Sequence, residues 1–162
     1  GTDTEILHVE SFKRGKGKFQ NAAWKESEEI LDHSKEFPYI LTTNRELEHY
    51  NCGTMTRRTG NVEILTDDVL LIHPADAARH FITDGEMVCV ISPRGKIDVK
   101  AKISDEVKEG ILSSTFHFPE VRMNDLTSSI SDSEAMCPEY KVVAVNIRKS
   151  KGKHRLQPAE GN

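Results

Sequence analysis

The sequence predicts a mainly β protein: an all-β barrel with short helical inserts and a polar N-terminal arm. Three observations support this fold class. Five or six short apolar or alternating runs follow one another between residues 37 and 149, closely spaced turn signals separate them, and no segment keeps a long helical period. The sequence also lacks long crossover helices and a G-x-G-x-x-G motif, which excludes a doubly wound nucleotide-binding fold.

The first part of the barrel is predicted from two apolar runs and a helix. FPYILTT at 37–43 and VLLIHP at 69–74 have the composition of buried strands. A short helix should follow, because Pro74 suits the first helical position and Asp76 favours the positive N-terminal end. The Thr-Asp-Gly turn at 83–85 limits the length of that helix.

The second part begins with the clearest hairpin of the chain, at 86–103. A hydrophobic run leads into a Pro-Arg-Gly turn at 93–95, and the following residues alternate between apolar and polar. This alternation places one face of the second strand against the core. Two further strands are predicted, ILSSTF at 111–116 and YKVVAVNIRK at 140–149.

The chain is long enough for one domain and too short for two. We expect an N-terminal arm or linker at 1–36, the barrel domain at 37–149 and a disordered tail at 150–162, which has almost nothing to bury. A long polar loop at 119–139 interrupts the barrel. Loops longer than ~15 residues in a compact domain are usually functional or disordered.

Composition and charge exclude several kinds of function. A formal net charge of -4 and a pI near 6.0 give no general attraction to nucleic acid or anionic lipid. The cysteines form no C-x-x-C pair, and neither H-E-x-x-H nor G-x-S-x-G occurs, so we predict no metal site and no catalytic residue. The sparse cysteines and the lack of a signal peptide or an apolar run of ~18 residues predict a cytoplasmic location.

The segment NRELEHYNCGTMTRR at 44–58 carries the groups best suited to binding. After Glu48 it contains no carboxylate, and it supplies a guanidinium, an imidazole, an amide and two hydroxyls from Arg45, His49, Asn51, Thr54 and Thr56. Such groups suit a diphosphate and the edge of a polar ring. A glycine at 53 would let backbone N–H groups approach the same anion. A polar surface loop with three arginines is the alternative that composition leaves open.

Four motifs in order extend this interpretation. They are TTNRELEHYNCGTMTRR at 42–58, the long run from IHPADAARHF to STFHFPE at 72–120, MNDLT at 123–127 and PEYKVVAVNI at 138–147. Together they resemble the C-terminal, molybdopterin-dinucleotide-binding domain of molybdopterin-dependent formate dehydrogenase catalytic (alpha) subunits. The resemblance runs from about residue 6 to residue 147 and implies a double-psi β-barrel, in agreement with the all-β prediction.

The resemblance implies that the chain binds molybdopterin guanine dinucleotide. The residues that match the T-G-R-x-x-x-H motif of the family and the polar positions after it are Thr43, Asn44, Arg45, His49, Asn51, Thr54 and Thr56. Other segments resemble the loop that meets the pterin and the P-E-Y-K segment that closes over the cofactor. Their candidate residues are His117, Asn124, Tyr140 and Lys141. The sequence departs from the family pattern at two places. Asn44 stands where the family often has glycine, and residues 131–134 stand where related chains tend to have Asp-Pro.

The implied function is therefore that of a domain cut from a formate dehydrogenase, which oxidises formate to carbon dioxide at molybdenum or tungsten. The isolated chain should be inactive, because the cluster cysteines, metal ligand and catalytic residues of that family belong to upstream domains. Its partners would be the upstream iron–sulfur and molybdopterin domains of the same chain, together with electron-transfer subunits. The parent enzyme could be cytoplasmic or periplasmic.

Two alternatives remain open at this point. One is a free-standing small subunit like that of formylmethanofuran dehydrogenase, which binds the same dinucleotide; the FHFPE and PEYKVVAV segments favour the formate enzyme instead. The other is a cofactor-free barrel that binds protein segments as an adaptor. That alternative gives the polar cluster between Arg45 and Thr56 no role.

Overall fold

A computed structural model describes residues 8, 10–21 and 23–152 of the chain. Within this range, six strands carry most of the regular structure. Their bounds are β1 Tyr39–Thr43, β2 Val69–Ile72, β3 Met87–Ile91, β4 Lys96–Ile103, β5 Ile111–Ser114 and β6 Val143–Lys149. The predicted strands are thus present, although most are shorter than their apolar runs. Most of the tail predicted to be disordered, 153–162, lies outside the described residues.

The helices are short, as the fold class requires. They are α1 Glu28–His33, α2 Asn61–Ile64, α3 Pro74–Arg79 and two 3-10 helices, Thr56–Arg58 and Met123–Leu126. The predicted helix α3 begins at its proline, and the His73 ring caps it by accepting the Ala75 N–H at 3.2 Å. Helices α1 and α2 were not predicted. None of the described helices is long and apolar enough to cross a bilayer.

The six strands close into a barrel in the order β1-β5-β2-β4-β3-β6. The pairs β1–β5 and β2–β4 are parallel, and the other four pairs are antiparallel. Each parallel pair joins strands that are distant in sequence, so the chain must cross over the barrel to form it. The prediction of a mainly β barrel with short helical inserts is confirmed.

Strand register brings the ends of β1, β3 and β5 to the same end of the barrel as the starts of β2, β4 and β6. Thr43, at the end of β1, pairs with Ser114 at the end of β5, and Ser114 also pairs with Leu70 near the start of β2. Leu41 pairs with Val143, the first residue of β6. Because β3 is antiparallel to β4 and β6, the β3–β4 turn lies there too. We call this the site end.

The core fills the barrel interior with aliphatic side chains. In β4 the buried residues alternate with exposed or half-buried ones, as predicted for a strand with one face on the core. Leu41, Leu70, Ile72 and Leu112 are among the largest fully buried side chains. Burying each such side chain stabilises the fold by about 1.5–3 kcal/mol, so the barrel is a firm platform for the loops at its end.

The arm and the long loop are both more structured than their sequences indicate. Helix α1 lies in the predicted arm, and its Glu29 is buried against the barrel. The loop at 119–139 contains the second 3-10 helix and a bridge between Ser131 and Pro138. The boundary of the arm at residue 36 stays a prediction.

Candidate functional site

Most of the residues that the sequence singles out lie at the site end, after β1 and β5 or before β6. Thr43 is buried as the last residue of β1. Its hydroxyl donates to the carbonyl of Tyr140 at 3.2 Å, and the ammonium of Lys141 donates to the carbonyl of Thr43. The end of β1 is therefore tied to the segment leading into β6, where the Tyr140 side chain is 49% exposed.

Asn44 extends the pairing of β1 with β5 by one residue. Its N–H donates to the carbonyl of Ser114 at 2.8 Å, and its side-chain amide donates to the Ser113 hydroxyl at 2.6 Å. Asn44 is not among the residues with positive φ. Asparagine is therefore unstrained at the position where glycine is common in the resembling motif.

Arg45 is a cation of this segment whose charge is available to an anion. Its guanidinium lies 5.1 Å from the Phe116 ring centroid and donates to the Asn51 side-chain oxygen at 3.4 Å. The nearby Arg57, by contrast, is paired with Glu120 at 2.7 Å. Among the described residues, no ion pair involves Arg45.

Both ring nitrogens of the buried His49 are used inside the loop. Nε2 donates to the Leu65 carbonyl at 2.9 Å, and Nδ1 lies 2.9 Å from the Thr56 hydroxyl. That hydroxyl accepts the Tyr50 N–H at 3.2 Å and directs its own proton to Nδ1. His49 and Thr56 thus close residues 49–65 into a loop, and His49 has no ring nitrogen left for a ligand.

His117 lies in the segment after β5, is fully buried and holds the same loop by hydrogen bonds. Its Nδ1 donates to the Asn51 carbonyl at 2.5 Å, and its Nε2 accepts the Glu46 N–H at 3.0 Å. These two partners assign a neutral ring with its proton on Nδ1. The structure therefore places His117 behind the loop as a support, where the resemblance implied a residue facing the pterin.

Asp68 is a residue of this network that sequence reasoning missed. Its buried carboxylate accepts the N–H of His117 at 3.1 Å, the N–H of Phe118 at 2.9 Å and the hydroxyl of Thr115. These bonds hold the chain after β5 and so orient the His117 ring. The only signal in the sequence is a carboxylate directly before an apolar strand, which by itself does not distinguish Asp68 from a surface residue.

Gly53 allows a close contact between the 44–58 segment and the segment after β5. Its φ is +70°, and a β-carbon there would lie 2.7 Å from the His117 carbonyl oxygen. Its N–H donates to the Tyr50 carbonyl at 3.0 Å. The Gly53 N–H is therefore engaged within the loop, where the glycine serves packing, and the approach of other backbone N–H groups of this segment to an anion stays a prediction. The neighbouring Thr54 is exposed, and its hydroxyl has no hydrogen bond within the described part of the chain.

Asn124 stands apart from the other candidates. It is exposed on the 3-10 helix Met123–Leu126. That helix packs on the β3–β4 turn, where a β-carbon on Gly95 would lie 2.8 Å from the Asp125 carbonyl oxygen. Within the described residues, no side-chain hydrogen bond joins Asn124 to the 43–58 segment.

Two adjoining clefts open beside Asn44, the first at the site end and the second extending along β1 and β5 to Ile111 at the start of β5. The first is lined by Asn44, Glu46, Leu65, Asp67, Val69, Leu71, Ser113, Ser114 and Thr115. Asn44, Leu71 and Ser113 also line the second. Burial raises the pKa of Asp67, and the neighbouring Asp68 charge acts in the same direction. Because these clefts carry carboxylates, they suit a polar ring with donor groups better than a phosphate.

The family comparison matches most of the barrel. A family model described as "Molydopterin dinucleotide binding domain" matches residues 39–144, from the start of β1 to the second residue of β6. This range is more than half of the chain and contains every site candidate.

Relatives extend the same result beyond the barrel. The chain is 42% identical over 149 residues to the F420-dependent formate dehydrogenase subunit alpha of Methanocaldococcus jannaschii, covering 90% of this chain and 22% of that protein. It is 33% identical over 114 residues to formate dehydrogenase H of Escherichia coli, covering 69% and 16%. It is 32% identical over 114 residues to the assimilatory nitrate reductase catalytic subunit of Bacillus subtilis, covering 69% and 16%.

A solved structure shares the fold. Acetylene hydratase from Pelobacter acetylenicus superposes with a TM-score of 0.63 at 20% identity, covering 72% of this chain and 19% of that one. Coverage of 22%, 16% and 16% means that the chain spans less than a quarter of each relative. The matched range, the relatives and the closed barrel agree that the chain belongs to the molybdopterin dinucleotide-binding domain family.

Proposed function

We propose that this chain is the cofactor-binding domain of a formate dehydrogenase catalytic subunit and that its site end holds molybdopterin guanine dinucleotide. The observation that carries the proposal is the convergence of the polar segment after β1 with Tyr140 and Lys141 before β6. The similarity to two formate dehydrogenases supports the same assignment.

The chemistry of the exposed groups fits such a cofactor. A dinucleotide presents a diphosphate and polar rings, which call for cations and for neutral hydrogen-bonding groups. Arg45 and Lys141 supply cationic groups, and neither forms an ion pair among the residues that the structure describes. Asn44, Asn51 and Thr54 are exposed beside Arg45 in sequence and add neutral donors and acceptors.

The candidate residues divide into two proposed roles. Direct cofactor contact is assigned to those with exposed side chains: Asn44, Arg45, Asn51, Thr54, Asn124, Tyr140 and Lys141. A positioning role is assigned to those whose polar atoms are engaged inside the protein: Thr43, His49, Thr56 and His117. This division follows first from burial. Asn44, Arg45 and Lys141 each donate one hydrogen bond inside the protein, but they are exposed and each has further N–H donors.

In the parent enzyme, the bound cofactor would supply redox chemistry at molybdenum or tungsten. The residues of this chain would bind and orient it, and the upstream domains would supply the catalytic groups and the iron–sulfur clusters. Electron-transfer subunits are the expected further partners. We expect no formate oxidation from this chain alone, and a cytoplasmic location of the parent stays a prediction.

Guanosine diphosphate, as a fragment of the cofactor, provides the test. Isothermal titration of the chain should detect GDP binding, and Arg45→Ala should weaken it by about tenfold, the loss expected for one charge-assisted contact. Arg57→Ala is the matched control, because that arginine is occupied by Glu120 and should leave the affinity within about twofold of wild type. Equal affinity of wild type and Arg45→Ala would refute the placement of the diphosphate.

Isolation of the native polypeptide tests the parent enzyme. A chain several times longer than 162 residues that carries molybdenum or tungsten is the expected result. A native chain of this length with metal would favour the formylmethanofuran-dehydrogenase-like small subunit. The same length without metal would favour the adaptor.

A further inference from the structure

The most deeply buried ion pair at the site end joins the N-terminal arm to the barrel. The Glu29 side chain, on α1, is 1% exposed, and the Arg94 side chain, in the β3–β4 turn, is 28% exposed. Two parallel bonds link them, from Nη1 to Oε2 at 2.9 Å and from Nη2 to Oε1 at 2.6 Å. Such two-pronged pairing fixes the relative orientation of both groups as well as their distance.

The same guanidinium also holds the 3-10 helix that carries Asn124. Nη2 of Arg94 donates to the carbonyl of Leu126 at 2.8 Å. The next residue, Gly95, approaches this helix so closely that a β-carbon would lie 2.8 Å from the Asp125 carbonyl oxygen. The turn and the helix are thus in direct backbone contact, with Arg94 closing one side.

Glu29 extends the connection to the segment that enters β6. Its Oε1 accepts the N–H of Ala144 at 3.0 Å, three residues beyond Lys141. A second tie from the arm, the Ser27 hydroxyl, donates to the Glu139 carboxylate at 2.7 Å, one residue before Tyr140. The arm therefore contacts both sides of the Tyr140–Lys141 pair.

A buried ion pair seldom adds much net stability, because desolvation of two charges offsets their attraction. What it does supply is a fixed geometry. We infer that Glu29 and Arg94 are positioning residues that set the Arg122–Thr127 loop, and with it Asn124, relative to the barrel. The inference rests on the proposed function only in assigning the cofactor to that loop; the positioning itself is a property of this chain.

Amide hydrogen exchange on the 162-residue chain tests this. The reporters are the N–H groups of Asp125 and Thr127, bonded to the carbonyls of Arg122 and Asn124 at 2.9 and 3.3 Å. In Arg94→Met both should exchange at least about tenfold faster, as expected when one charged hydrogen bond is lost. Because Arg94→Met leaves the buried Glu29 carboxylate without its arginine, beside the His33 ring at 4.0 Å, it risks unfolding the chain and a second variant is needed.

The double variant Glu29→Gln/Arg94→Met removes both charges. Glutamine keeps an oxygen to accept the Ala144 N–H, so the urea midpoint should recover towards wild type. The Leu126 carbonyl still lacks its donor, so exchange at Thr127 should stay about tenfold faster than in wild type. The matched control is Arg79→Met, which removes an arginine from a fully buried Asp76 at the opposite end of the barrel.

Faster exchange confined to Asp125 and Thr127 in both Arg94 variants, and absent from Arg79→Met, is the expected result. The inference is overturned if, in the double variant, amide exchange in the loop returns to the wild-type rate together with the urea midpoint. Exchange in the loop would then reflect global stability alone. Equal acceleration in Arg79→Met would overturn it as well. A chain with the expected exchange but no GDP binding would remove the cofactor assignment and leave the positioning in place.

Discussion

Replacement of His117 by alanine tests whether the loop at 44–56 is held by buried hydrogen bonds. The ring is fully buried and bonds the Asn51 carbonyl and the Glu46 N–H. Alanine removes both bonds and leaves the space of the ring empty. The loop should therefore detach from β5, although the barrel beneath it keeps its own core.

The magnitude follows from the contacts. Each lost hydrogen bond costs about 1 kcal/mol net, since the freed groups on the exposed Glu46 and Asn51 can bond water. Loss of the buried ring adds on the order of 1 kcal/mol. The free energy of unfolding should therefore fall by about 3 kcal/mol in total.

Urea denaturation followed by circular dichroism measures this change. The control is His80→Ala at the opposite end of the barrel, where the ring is only partly buried and bonds the Tyr39 hydroxyl at 2.8 Å. That variant should lose about 1 kcal/mol and leave GDP binding unchanged. If His117→Ala costs no more than His80→Ala, the reasoning about the loop is refuted.

Three further predictions concern separate features. Cys89 should react with iodoacetamide far more slowly than the other two cysteines, which are exposed, because burial raises the pKa of its thiol; equal labelling by mass spectrometry would contradict this. Backbone N–H groups lower the pKa of Asp132, so the turn they form should be fully stabilised above the ordinary aspartate pKa of about 3.9 and lose that stabilisation as the pH falls through the lowered value. The prediction is ruled out if the NMR chemical shifts of the amides in this turn titrate with a midpoint at or above the ordinary value. Gly53→Ala should lower the free energy of unfolding, measured in urea, by about 2 kcal/mol more than Gly110→Ala does. Both glycines have positive φ, but only at Gly53 does a carbonyl, that of His117, lie in the space of a β-carbon. Equal losses would show that the loop moves to make room for the β-carbon.

The strands could be predicted because their signal is local. Period-two alternation in β4 and continuous apolar runs in β1, β2 and β3 are visible in any short window. Helix α1 could not be predicted in the same way, because six residues of helix carry little periodic signal. Its placement depends on Glu29 reaching Arg94, a contact between residues 65 positions apart.

Exposure of the candidate side chains could be predicted only in part. The donors Arg45, Asn51 and Thr54 are visible in a polar segment that has no carboxylate after Glu48, and the structure leaves their side chains exposed. His49 and His117 carry the same chemistry in sequence, yet both are buried supports. The difference lies in the hydrogen-bond partners of each ring. His49 is bonded within its own loop, to Thr56 and Leu65, whereas His117 reaches that loop from the segment after β5.

The sequence by itself determined the fold class, the family motifs and the kind of groups available for binding, because composition and period are properties of neighbouring residues. The tertiary structure decided which of those groups face outward and which are held inside. Asp68 shows the reason: in sequence it is one carboxylate before β2, and in the structure the segment after β5 brings three donors to it. For Asp68 and His117 the partners are distant in sequence, and closure of the barrel brings them together.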